Sequence, residues 1–113
     1  MLTALYSFCS QPNCTDGTAP TATLVQATDG NFYGTTQRGG ANGAAGYGTA
    51  FSITPSGTLV TLYTFCSQTN CTDGSHPVAG LVQDTDGSFY GTTQNGGSSG
   101  GYGTVFSLSL IHI

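Results

Sequence analysis

The chain is written twice. Laid on itself at an offset of 57 residues, Leu5-Tyr6-Ser7-Phe8-Cys9 matches Leu62-Tyr63-Thr64-Phe65-Cys66, and from Leu5 to Gln37 25 of 33 positions are identical. Two residues are then missing from the second copy, after which Gly46-Tyr47-Gly48-Thr49 meets Gly101-Tyr102-Gly103-Thr104. All twelve aromatics and all four cysteines have a counterpart in the other copy. Self-similarity of this length means that one supersecondary unit is built twice, with the matched residues as its framework. The units are read as 1–57 and 58–107.

Within a unit the pattern is strand-like. Thr23-Leu24-Val25-Gln26-Ala27 and Phe32-Tyr33-Gly34-Thr35-Thr36 flank Asp29-Gly30, and Asp86-Gly87 stands likewise between Leu81-Val82-Gln83 and Phe89-Tyr90. Asp-Gly between apolar runs predicts a two-residue hairpin with a type I′ turn, which needs positive φ at both central residues. A second hairpin is predicted from Thr49–Ile53 through Thr54-Pro55-Ser56-Gly57 into Leu59–Tyr63, with Pro and Gly where a type I turn prefers them. Each unit therefore reads as four short antiparallel strands. Gly, Thr and Ser supply 48 of the 113 residues and Glu and Lys are absent, which argues against an all-helical chain. The glycine-rich stretches 38–43 and 95–100 read as linkers.

The fold expected is all-β: two tandem four-stranded antiparallel units, each the size of one β-propeller blade, in an incomplete array. A small sandwich and a β-solenoid are the alternatives. Two blades cannot close a ring, and the chain opens partway through a unit, so it is expected to be a fragment, an oligomer or part of a longer array. After Phe106-Ser107 the repeat pattern breaks into Leu108-Ser109-Leu110-Ile111-His112-Ile113. Those six residues, 108–113, read like a translated transposon-end adapter and are set aside as a non-native tail.

Charge narrows the partners. Charged residues make up 5% of the chain, as five Asp and the single cation Arg38. A phosphate backbone needs Lys and Arg to displace its counterions, so no nucleic-acid partner is expected. No apolar run is long enough to span a membrane, and no leader is visible.

The residues Asp29-Gly30-Asn31-Phe32-Tyr33-Gly34-Thr35-Thr36, their second-copy equivalents, the Gly-Gly after them, Gly48-Thr49-Ala50-Phe51-Ser52, and Thr54-Pro55-Ser56-Gly57 with Leu62-Tyr63-Thr64-Phe65 together resemble the GloVer tandem repeat. That repeat is named for Gloeobacter and Verrucomicrobia and occurs in bacterial choice-of-anchor proteins. The resemblance implies export, a propeller-like array and attachment to the cell surface, and it implies no catalytic activity.

Cys9 and Cys14, and again Cys66 and Cys71, each enclose four residues. A close pair recurring in each unit favours two local disulfides, and an exported family fits an oxidising compartment. A four-cysteine zinc site and free thiols are the alternatives. Asp16, Asp29, Asp73 and Asp86 precede Gly in matched pairs and read as turn residues. Asp84 begins a run similar to a calcium loop, but its counterpart is Ala27 and no Glu comes after it. His76 and Arg38 have no counterpart of their own kind and read as solvated surface residues. No catalytic constellation recurs, so neither catalysis nor a cofactor is expected. Tyr47 and Tyr102 lie beside flexible glycines and are the candidate ligand-facing aromatics, although packing between units is the favoured use of both. The expected function is a structural or binding module, with a glycan or a cell-surface protein as partner. A glycan-binding module or a part of a carbohydrate-active propeller enzyme is the alternative.

Overall fold

The computed structural model describes residues 2–43 and 46–109. Nearly all its regular structure is β: β1 (Val25–Gln26), β2 (Phe32–Thr36), β3 (Thr49–Ile53), β4 (Leu59–Thr64), β5 (Val82–Gln83), β6 (Phe89–Thr93) and β7 (Thr104–Leu108). Two short 3-10 turns, Pro12–Cys14 and Thr69–Cys71, complete it. The strands form a four-stranded sheet in the order β1-β2-β3-β4 and a three-stranded sheet in the order β5-β6-β7, each antiparallel. β-branched and aromatic residues fill the longer strands, as a half-buried pleated surface favours.

The sheets are not divided where the sequence repeat divides. β4 lies in the second repeat, 58–107, yet it pairs with β3 in the first sheet, through a bulge at Ala50/Phe51. β7 corresponds to β3 and is the last strand of the second sheet among the described residues. Leu108, the first residue of the segment set aside as a tail, completes β7 opposite Phe89, as Ile53 stands opposite Phe32. Positions 110–113 lie outside the described residues.

The Asp-Gly hairpins differ from the expected two-residue turns. Ala27 N–H donates to the Asn31 carbonyl at 2.9 Å and Gly30 N–H to the Ala27 carbonyl at 3.0 Å, so the loop holds three residues, Thr28-Asp29-Gly30. Gly30 alone takes a positive φ, +87°, and Asp29 stays outside the left-handed region. This is the three-residue hairpin in which a type I turn is followed by a left-handed glycine. Asp29 serves by another route: its carboxylate accepts the Asn31 amide at 3.0 Å and the Tyr33 hydroxyl at 2.6 Å. The second copy builds the same loop on Asp84, Asp86, Gly87 and Ser88. β1 is only two residues long, shorter than the run Thr23–Ala27 predicted.

Cross-strand partners share a face, so the register sorts the side chains. One face of the first sheet carries Phe32, Phe51 and Ile53; the other carries Val25, Tyr33 and Ala50. In the second sheet the first face carries Phe89, Phe106 and Leu108 and the other Val82, Tyr90 and Val105. The core joins unlike faces. Ala27, Tyr33, Val25 and Leu62 from the first sheet pack on Leu81, Phe89, Phe106 and Leu108 from the second.

Candidate functional site

The surfaces worth weighing are those where one copy meets the other, because the same residues recur elsewhere in the pair in less buried surroundings. The Tyr33 ring stacks on Phe89 with centroids 4.3 Å apart. Tyr33 is 3% exposed and Phe89 0%. Their counterparts differ: Tyr90 is 41% exposed, and Phe32 is half-buried along an apolar groove of about 340 Å³ that also involves Leu5, Phe8, Leu24 and Ile53. Burial and the nearby Asp29 carboxylate push the Tyr33 hydroxyl up to about 12.

A second contact fixes the sheets laterally. His76 N–H donates to the Tyr47 carbonyl at 2.8 Å, and Pro77 is buried beside Gly48. Gly48 has φ +102°, and a Cβ there would lie 2.4 Å from the Thr36 carbonyl oxygen and 2.8 Å from Pro77 Cδ. Only glycine meets both demands. The His76 ring stands edge-on to Tyr47, centroids 5.6 Å apart, and both its nitrogens are shielded from solvent without a hydrogen-bond partner among the described residues. Burial, and secondarily the charge of Arg38, hold the His76 pKa below its ordinary value. His76 is thus a docking residue, whereas its lack of a counterpart had pointed to a solvated one. Arg38 remains on the surface, its backbone bridged to Thr18.

Tyr47 and Tyr102, equivalent by sequence, occupy unlike positions. Tyr47 is 37% exposed and takes part in the His76 contact; Tyr102 is 89% exposed. The structure does not bring them together as one site. Nothing in the local sequence signals the difference, since it arises from the neighbour that each copy packs against.

The cysteines and two aspartates make a separate device. Cys9 is joined to Cys14 and Cys66 to Cys71. Each disulfide closes a loop through left-handed residues, with φ +61° and +55° at Cys9 and Cys14. Asp16 accepts the Tyr6 hydroxyl at 2.5 Å and the amides of Ser10 and Gln11 at 3.0 and 3.2 Å. Asp73 repeats this with Tyr63, Ser67 and Gln68. Burial raises both carboxyl pKa values, but the tyrosine hydroxyl and the amides outweigh it and hold both below normal. The aspartates read as turn residues are therefore the anchors of the disulfide loops. Their signal was visible as the recurrence of Tyr6 before Asp16 and Tyr63 before Asp73 at the same ten-residue separation.

Paired disulfides leave no thiolates for the zinc alternative. Among the described residues no group of three His, Cys, Asp or Glu side chains could hold a metal ion, and no helix is long and apolar enough to cross a membrane.

Together the repeated sequence, the two antiparallel sheets and the paired cysteines define an all-β repeat protein. The family model of the Gloeobacter/Verrucomicrobia repeat matches residues 1–112, and the chain belongs to that family. No curated protein matches it.

Proposed function

We infer that this chain is a structural and binding module of an exported, surface-attached bacterial protein, one that extends a stack of blade-like sheets and carries no catalysis. The observation that carries the reading is the contact of unlike faces at Tyr33 and Phe89, whose counterparts Tyr90 and Phe32 are exposed and half-buried. A unit with two unlike adhesive faces is suited to serial repetition, because each added unit offers the face that the next one needs. The disulfide loops support an oxidising location. The carboxylates of Asp16 and Asp73 are engaged by tyrosines and backbone amides.

The test uses protein recovered from intact source cells, with free thiols blocked by a mass tag before fractionation. The reading predicts the chain in the surface fraction with none of its four cysteines tagged. A cytosolic chain carrying four tags would overturn it.

The exposure of Tyr102 favours a second reading, a glycan-binding module, since an open ring beside glycines can lie against a sugar. Binding on a glycan array that disappears in Tyr102→Ala would support it; no binding by either protein would remove it.

A further inference from the structure

We propose that His76 is an acid-sensitive latch between the two units: neutral, it docks the second unit on Tyr47 and Gly48 of the first; protonated, it lets that contact open while Tyr33 stays on Phe89, so that acid uncovers Tyr47.

The backbone of His76 is shared by both units. Its carbonyl accepts the Gln94 amide of its own unit at 3.0 Å, and its N–H donates to the Tyr47 carbonyl of the other at 2.8 Å. The first of these bonds belongs to the repeat, since Gln37 N–H donates in the same way to the Ala19 carbonyl, also at 3.0 Å. Both positions are left-handed, with φ +55°. The second bond joins the units, and beside it the buried Pro77 ring fills the space that Gly48 leaves. Ala19 shows that the repeat builds this backbone without an imidazole. What His76 adds is an ionisable ring laid against Tyr47 inside the junction.

That ring sits where it is tolerated neutral and penalised when charged. Its nitrogens are shielded from solvent, and among the described residues neither has a hydrogen-bond partner. A protonated imidazole carries two N–H donors, and burying it without acceptors is costly. The groups that face it do not supply them. From the segment before β3 comes the Tyr47 ring, at 70° to the imidazole, and from the segment after β2 comes Arg38, whose positive charge opposes a second one. Gly48, Pro77 and Gln94, which complete the contact, carry no charge. The Tyr47 ring returns part of the lost hydration as a cation–π contact, but burial and Arg38 both act to keep the imidazole neutral. As pH falls below the ordinary histidine value of 6.5, the open junction, where water reaches the ring, therefore binds the proton more readily than the closed one.

The Tyr33 contact with Phe89 has no such sensitivity, because Tyr33 titrates only at about 12. It remains as the pivot when the latch opens. In the closed junction Tyr47 is 37% exposed, and opening frees the rest of a ring suited to meeting a ligand. Protonation of one histidine thus sets how much of that face a partner meets.

Amide hydrogen exchange of the full chain tests the latch, at about pH 8 and about pH 5, which span the ordinary titration of histidine. Rates are expressed as protection factors, so that the pH dependence of the exchange chemistry cancels. The expected result is that the position 76 amide, whose acceptor is the Tyr47 carbonyl, loses protection at the lower pH while the amides of β2 and β6 keep theirs. In His76→Ala, which copies Ala19 of the first unit, protection at that position should be the same at both pH values, whatever its level. Unchanged protection of His76 in the native chain, an equal loss in His76→Ala, or a loss shared by β2 and β6, the mark of general unfolding, would each overturn the latch.

Discussion

Tyr33 in the first sheet lies on Phe89 in the second, their ring planes tilted by 31°, although the repeat aligns Tyr33 with Tyr90 and Phe89 with Phe32. Each copy therefore contributes a different half of one pattern to the contact. That offset lets a repeated sequence cohere without any residue being peculiar to the interface.

Phe89→Ala should cost about 3–5 kcal/mol, the usual range for truncating a buried phenylalanine, whereas Phe32→Ala at the same repeat position should cost about half as much because its ring is only half covered. Urea unfolding of the two variants checks this, and the difference in midpoint is the quantity to read.

Gly48→Ala combines a left-handed backbone with collisions against the Thr36 carbonyl and Pro77, while Gly30→Ala, with φ +87° and nothing within 4 Å, meets only the backbone cost. The latter should lose about 1–2 kcal/mol and the former clearly more. Thermal unfolding should rank them in that order.

Asp16→Ala removes the acceptor shared by the Tyr6 hydroxyl and two amides, and should cost about 1–3 kcal/mol, towards the low end because water reaches the amides. Reduction of either disulfide should cost about 2 kcal/mol, on the chain-entropy account of so short a loop. Denaturation with and without reductant measures both effects.

Stability should fall at both ends of the pH scale. His76 has a folded pKa below its unfolded value of 6.5, so the folded state binds fewer protons and stability declines as pH drops below about 6.5. Asp16 and Asp73, also depressed, extend the decline as pH falls below their normal 3.8. Tyr33 and Tyr63 are raised to about 12 from 10.0, so the stability they contribute is complete below pH 10 and is lost as pH rises towards 12. Melting temperatures across this range should show these three losses, and His76→Asn, which tolerates the left-handed φ of +55°, should remove the first.

Much of the architecture was legible because the strands declare themselves locally. β2 and β3 coincide with the predicted runs, and Thr54-Pro55-Ser56-Gly57 turns β3 into β4 as its residues require, with Gly57 N–H on the Thr54 carbonyl at 3.0 Å. The Asp29-Gly30 turn was misjudged in length because Asp29 gains more from binding Asn31 and Tyr33 than from a left-handed backbone. Ownership of β4 could not be read locally, since hairpin adjacency to β3 and membership of the second repeat point to different sheets. The unlike environments of Tyr33 and Tyr90, or Tyr47 and Tyr102, were invisible for a deeper reason: the copies are nearly identical, and only their order along the chain separates them.

The most direct test of the stacking of unlike faces is a double-mutant cycle on Tyr33 and Phe89, measured by urea unfolding at low protein concentration. Aromatic contacts of this kind are coupled by about 0.5–1.5 kcal/mol beyond the area they bury. The account predicts a coupling energy in that range for Tyr33→Ala with Phe89→Ala, and none for Tyr90→Ala with Phe32→Ala in the dilute chain. Additive effects in the first pair would contradict it.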